Sequence, residues 1–373
     1  MKKLSIFVSL LLVLTSCGAP EKSENPSSSS QKEIIKVGVI APLSGPAVSY
    51  GTDAVNTYTY SVDAYNASQD EVEVQLVIED GKCNGKDSVS AVQKLIHIDQ
   101  VAFILGGICS GETIAAGKIA QAKKVVMLSP TSSSPEVSNI GDYIFRYWND
   151  AHAGITLAEH LNENHPNIAL VVESTDYAKS LSNNLKQNYT GNIVEEINFA
   201  SDEKDYGIIV NNIEKTSFDA LVFLNQTEST GISMINALKE KGLLDKYGKE
   251  NIIGAYLFSG ENFIESVGSD TAKGLTQVNI DFASIENDRA ISFIEDFKKN
   301  YEIAFAANFM YLEKEAIDFI LESISSGVRD SEGLKAALES ITADNKRDGY
   351  FGTYYIDEFG DAIGLSYTIE TVE

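Results

Sequence analysis

Ile35-Lys36-Val37-Gly38-Val39-Ile40-Ala41-Pro42-Leu43-Ser44-Gly45-Pro46 is the stretch on which the fold turns. Residues 35–40 form a β-branched run that predicts a strand, and 41–45 stop it as a Pro/Gly loop. Val55, Tyr58, Val62 and Tyr65 then recur at helical spacing. The pair repeats: strand 72–78 with a helix marked by Val89, Val92 and Ile96, then strand 101–105 leading through 106–110 into a helix with Ala115, Ile119 and Ala122. Strand 125–128 follows, with the loop 129–135 behind it. After Trp148 the rhythm restarts with short, nearly continuous apolar runs at 168–172, 220–224 and 252–253, as expected of parallel strands buried on both faces. Helices between them are marked by Tyr177, Leu181, Leu185 and Tyr189, and by Ile232, Ile235 and Leu238. Further helices are expected over 291–301, 309–324 and 334–341. The chain ends in two strands, 350–355 and 365–371, with a turn at 357–361. Two βαβα blocks broken near 148 predict an α/β protein of two doubly wound sheets.

Outward from this core, the 373 residues, 43% hydrophobic, suffice for two domains with real cores. The net charge of −25 argues against a nucleic-acid partner, because binding phosphate needs clustered cations. Lys2 and Lys3 precede an apolar run over 4–14 and then Leu14-Thr15-Ser16-Cys17. This reads as a secretory signal too short to span a bilayer. The Leu-Thr-Ser-Cys ending resembles a bacterial lipobox, which makes Cys17 the lipidated first residue of the mature chain. Residues 18–32, rich in Ser and Pro, read as a tether. Cys83 and Cys109 then remain, and outside the cytoplasm such a pair is most simply a disulfide. Nothing nearby supplies the further ligands of a zinc site.

Ligands of doubly wound sheets bind beyond the C-terminal ends of the strands. The loops 41–45, 106–111 and 129–135 lie there and are rich in Ser, Thr and Gly. Each leads toward a helix start, where free N–H groups and the dipole attract an anion. Helix capping explains any one of them; three in one lobe favour a site for a small anion. Enzymatic signatures are weak. His97, His152, His160 and His165 have no metal-like spacing, and no G-x-S-x-G elbow occurs. Ser201-Asp202-Glu203-Lys204 matches S-x-x-K only in form, in a polar loop. Pairs such as Glu195-Glu196 lack the buried setting that tunes acid and base. Trp148 either lines the cleft or packs the hinge. Tyr50 and Tyr311 are candidate apolar walls, with core packing the better role for Tyr311.

As an ordered set, 35–46 with Tyr50-Gly51, Asp80, Cys83, Gly106 through Cys109-Ser110, Ser129-Pro130 through Pro135-Glu136, Phe351-Gly352 and 357–361 resemble the leucine/isoleucine/valine-binding proteins of ABC importers. The resemblance covers 34–370. It implies a type I periplasmic-binding fold, two doubly wound parallel-sheet lobes joined by three crossovers near 146–150, 279–283 and 346–351. It implies that Ser110 and Ser133 hold a ligand carboxylate, that the Thr131 carbonyl takes an amino group, that Tyr177 closes over the ligand, and that Cys83 pairs with Cys109. The family's second-lobe acid falls on Tyr256 and a second tyrosine position on Gln226. Losing the acid counts against a plain α-amino acid, since a buried ammonium without a countercharge is costly. Asp176 or Glu228 could take the place of the missing acid.

The expectation is therefore a signal peptide over 1–16, a tether over 17–33, a first lobe from 34–148 and 283–346, and a second from 149–282 and 347–373. Function is expected to be capture of a small amino acid or related carboxylate or amide between the lobes through Ser110, Thr131, Ser133, Tyr177, Tyr50, Gln226, Tyr256 and Trp148. The closed form of this monomer, lipid-anchored outside the cytoplasm, would be read by the membrane subunits of an ABC importer, without cofactor, metal or catalysis. The rival is a regulatory or sensory lipoprotein of the same fold that acts by protein contact.

Overall fold

The computed structural model describes residues 32–285 and 287–373. The expected leader, Cys17 and most of the tether lie outside the described residues. Strand β1 (Glu33–Ala41) alternates at its start and is continuously buried over 37–41, as a central strand covered on both faces must be. It lies between β2 (Val72–Asp80) and β3 (Phe103–Gly106), and β4 (Met127–Ser129) and β5 (Ile144–Arg146) complete a parallel sheet of order β2-β1-β3-β4-β5. Each Val, Leu or Ile buried there contributes about 1.5–3 kcal/mol.

The register brings the strand ends to one rim. Ala41 stands opposite Asp80, Ile40 opposite Gly106, and Ser129 opposite Arg146. Gly106 is required at its place: its φ is +112°, and an added Cβ would stand 2.2 Å from the Ile40 carbonyl oxygen. Helices α1 (Val48–Ser68), α2 (Gly85–Lys94) and α3 (Ser110–Lys123) link these strands. The buried stripe of α1 holds Ala54, Tyr58 and Val62 but also Asp53, Thr57 and Ser61.

The second sheet is built from β6 (Asn167–Glu173), β7 (Asn192–Phe199), β8 (Ala220–Leu224), β9 (Ile252–Ala255) and β10 (Thr276–Ile280), with helices α4 (Ala151–Asn164), α5 (Asp176–Asn188), α6 (Tyr206–Glu214) and α7 (Glu228–Glu240) among them. Three strands escape the hydrophobic-run criterion. β5 is only three residues long. β7 is a half-exposed edge strand carrying Glu195 and Glu196. β10 buries Gln277 and Asn279, whose amides bond the Glu370 carboxylate at 2.6 and 2.8 Å.

The end of the chain departs from expectation. β11 (Arg347–Gly349), β12 (Gly352–Ile356) and β13 (Ala362–Ile363) form a separate antiparallel sheet, in which the 357–361 turn joins β12 to β13. The last strand, β14 (Tyr367–Thr371), runs antiparallel to β10 instead of pairing with β12. This small sheet bonds to the first lobe. Arg146 N–H donates to the Gly360 carbonyl (2.9 Å), and Arg347 pairs with Glu315 (2.6 Å), on the helix Met310–Ser325 that packs on α1. Residues 347–363, expected in the second lobe, thus belong with the first, and the third crossover lies at 364–366 instead of 346–351. It runs beside the second: Asp281 N–H donates to the Ser366 carbonyl at 2.9 Å.

Candidate functional site

The two rims face each other across a cavity of about 70 Å³. Its first-lobe wall is laid out by the loops after β3 and β4. Ser110 is the first residue of α3, and its hydroxyl oxygen accepts from Ser134 N–H (3.1 Å), which leaves the hydroxyl proton for the cavity. The Thr131 hydroxyl donates to the Ile108 carbonyl (3.0 Å). The chain itself supplies an anion at the start of α3. The Glu112 carboxylate accepts from the N–H groups of Ile108 and Cys109 (3.0 Å each) and Cys83 (2.9 Å), and burial pushes its pKa up to about 7. These donors are therefore spent on capping, and the Ser110 hydroxyl proton remains for a ligand. Cys83 and Cys109 are disulfide-bonded, with Cα atoms 5.2 Å apart, and fasten the loop after β2 to the loop after β3.

Behind these loops, Arg146 is fully buried. Its Nε and Nη2 grip Asp361 (2.7 and 2.9 Å), Nη1 reaches the Ser132 and Ser134 carbonyls (3.3 and 2.5 Å), and Nη2 also reaches the Ser138 hydroxyl (2.6 Å). A guanidinium fork fixes several loop atoms at once, which a lysine could not do.

The second-lobe wall comes from Tyr177 near the start of α5, from Asn225 and Gln226 after β8, and from Tyr256 and Leu257 after β9. Tyr256 has φ +63°, a left-handed conformation costing about 1–2 kcal/mol for such a side chain. The turn aims its hydroxyl across to Asp150, to which it donates at 2.5 Å. Burial raises the Asp150 pKa to about 6, against the pull of Ser133, Tyr256 and Arg146. Two contacts join the lobes across the cleft: Tyr50 donates to the Gln226 carbonyl (2.7 Å), and the Gln226 amide meets Cys83 Sγ at 3.2 Å.

Residues 34–370 match the periplasmic binding protein family. The chain belongs to that family. The Leu/Ile/Val-binding protein BraC3 of Rhizobium johnstonii is 24% identical over 326 residues, 83% of this chain and 87% of its own. The branched-chain amino acid binding protein LivJ of Streptococcus pneumoniae, solved with isoleucine, superposes with a TM-score of 0.80 at 21% identity, over 91% of this chain and 96% of its own. A Rhodopseudomonas palustris solute-binding protein solved with 3,4-dihydroxybenzoic acid gives 0.79 at 20%, over 91% and 93%. The fold is thus shared by proteins whose ligands differ in whether they carry an ammonium.

In this binding protein, Ser110, Thr131, Ser133, Tyr177, Tyr50, Gln226, Tyr256 and Trp148 all line the one cavity. Trp148 both lines it and packs edge-on against Tyr256, ring centres 4.8 Å apart. Tyr311 is buried in the core and is not part of the wall. The replacement acids do not reach it either. Asp176 lies exposed against Gly111, and Glu228 turns to Asn262 (2.9 Å). Sequence reasoning missed two acids that do line the cavity, Asp53 and Glu313, and the apolar Phe305, Phe309 and Met310. Asp53 had a signal: it sits three residues after Tyr50 at the head of the stripe Asp53, Thr57, Ser61. Glu313 had none. Among the described residues, no group of three His, Cys, Asp or Glu is placed to hold a metal ion, and no helix is long and apolar enough to cross a membrane.

Proposed function

We propose that the protein captures an amino acid or a closely related small carboxylate in the interlobe cleft and delivers it to an ABC importer from a lipid anchor on Cys17. The observation that carries this reading is the interlobe cavity with the Ser110 hydroxyl proton uncommitted on its wall. Ligand would first meet Ser110, Thr131 and Ser133. Closure would then bring Tyr177, Gln226 and Tyr256 over it, with Tyr50–Gln226 as a latch between the lobes.

A thermal-shift and titration screen of amino acids, amides and small carboxylates on residues 32–373 tests this. A ligand at about one hundred times its Kd is expected to stabilise the fold by about 2.7 kcal/mol through mass action. Ser110→Ala is expected to weaken that ligand by about 1–3 kcal/mol, because one ligand oxygen loses its buried donor. A screen in which nothing shifts melting would favour action by protein contact instead.

Anchoring is tested separately, by metabolic labelling with an acyl probe in a bacterial host. Label is expected on the wild type and absent from Cys17→Ser. Label that survives the substitution removes the lipid anchor from the proposal and leaves solute binding untouched.

A further inference from the structure

The lining carries two acids that capping and closure do not use. Asp53 on α1 is 2% exposed, and its oxygens accept from the N–H groups of Ala304 (2.7 Å) and Phe305 (2.8 Å). Glu313 enters from the helix Met310–Ser325, which packs on α1; it is 3% exposed, and its Oε2 has no hydrogen-bond partner. Neither acid is in an ion pair among the described residues, and no Lys, Arg or His of those residues lines the cavity. The aromatic faces of Tyr50, Phe305 and Phe309 border the same space.

An orphaned carboxyl in such a place is unfavourable unless something completes it. An aliphatic ligand side chain would leave Glu313 as it is, and a second carboxylate would be repelled by both acids. A ligand cation gives Glu313 its missing partner, offsets Asp53, and finds aromatic faces beside it. From the unpartnered Glu313 carboxyl, its neighbour Asp53 and the cation-free wall, we infer that the ligand has a net positive charge: a basic amino acid whose side-chain ammonium or guanidinium sits against Glu313 and Asp53. Burial together with Asp53 drives the Glu313 pKa well up, and a cation set beside the carboxyl would draw it back down.

The inference rests on the solute-binding reading and is tested so that the two can fail apart. Trp148, the sole tryptophan, borders the cavity, so its emission reports occupancy. Lysine, ornithine and arginine are titrated beside leucine, valine, glutamine and benzoate, into the wild type and into Glu313→Gln and Asp53→Asn. One of the basic amino acids is expected to bind wild type at least about ten-fold tighter than any neutral one, and Glu313→Gln is expected to shrink that ratio about ten-fold. The wild-type panel decides even if a variant fails to fold. Tighter binding of a neutral or acidic compound, or a ratio unmoved in well-folded Glu313→Gln, overturns the basic-ligand inference while solute binding stands. No response to the whole panel sinks both.

Discussion

Asp361→Asn is expected to destabilise the fold by about 3–5 kcal/mol, read as a fall in the urea midpoint at unchanged slope. Asp361 is 3% exposed and is the acid that faces the fully buried Arg146, gripped through both oxygens. Asparagine keeps the shape and one acceptor but removes the charge, so a guanidinium stays desolvated without its counterion. The loss has a second consequence. Arg146 also holds the carbonyls of Ser132 and Ser134 and the Ser138 hydroxyl, and the loop it braces carries Thr131 and Ser133 into the cavity. Ligand affinity should therefore fall with stability, although neither member of the pair borders the cavity. A midpoint within error of wild type would show that water reaches the pair and screens it. An unchanged affinity in a destabilised variant would show that the loop holds its shape without the fork.

The same pair explains where reading the sequence stopped short. Parallel strands buried on both faces announce themselves as apolar runs, so β1, β6, β8 and the loops at their ends could be found from composition alone, and with them Ser110, Thr131 and Ser133. The third crossover could not. Two terminal strands with a turn between them read as a hairpin, and it is bonds from Arg146 to Gly360 and Asp361, 215 positions apart for the ion pair, and from Ser138 to Asp361 that tie that turn to the first lobe. β10 was hidden for a related reason: its buried Gln277 and Asn279 look like a loop until Glu370 is brought to their amides. Asp53 and Glu313 lie 260 positions apart on helices whose packing no local pattern specifies. Neighbours in space that are strangers in sequence were out of reach, and they are where the ligand's charge is read.

Reduction of the disulfide between Cys83 and Cys109 is expected to remove about 3–4 kcal/mol, as is Cys83→Ser with Cys109→Ser. The bond closes a loop of sequence separation 26, and the larger part of its effect is the freedom it denies the unfolded chain. In the native state its removal should be milder, because the two loops stay joined by another route: Glu112 on α3 still accepts from the Cys83 N–H. Affinity should consequently fall less than stability, by the contact that Cys109 makes with the cavity and the approach of Gln226 to Cys83 Sγ. The comparison to make is of urea midpoints with and without reductant, for wild type and for the double variant. Reductant should lower the wild-type midpoint to that of the double variant and leave the latter unmoved. If reductant moves neither, the bridge is not formed in the folded protein, and the loops after β2 and β3 are held by Glu112 alone.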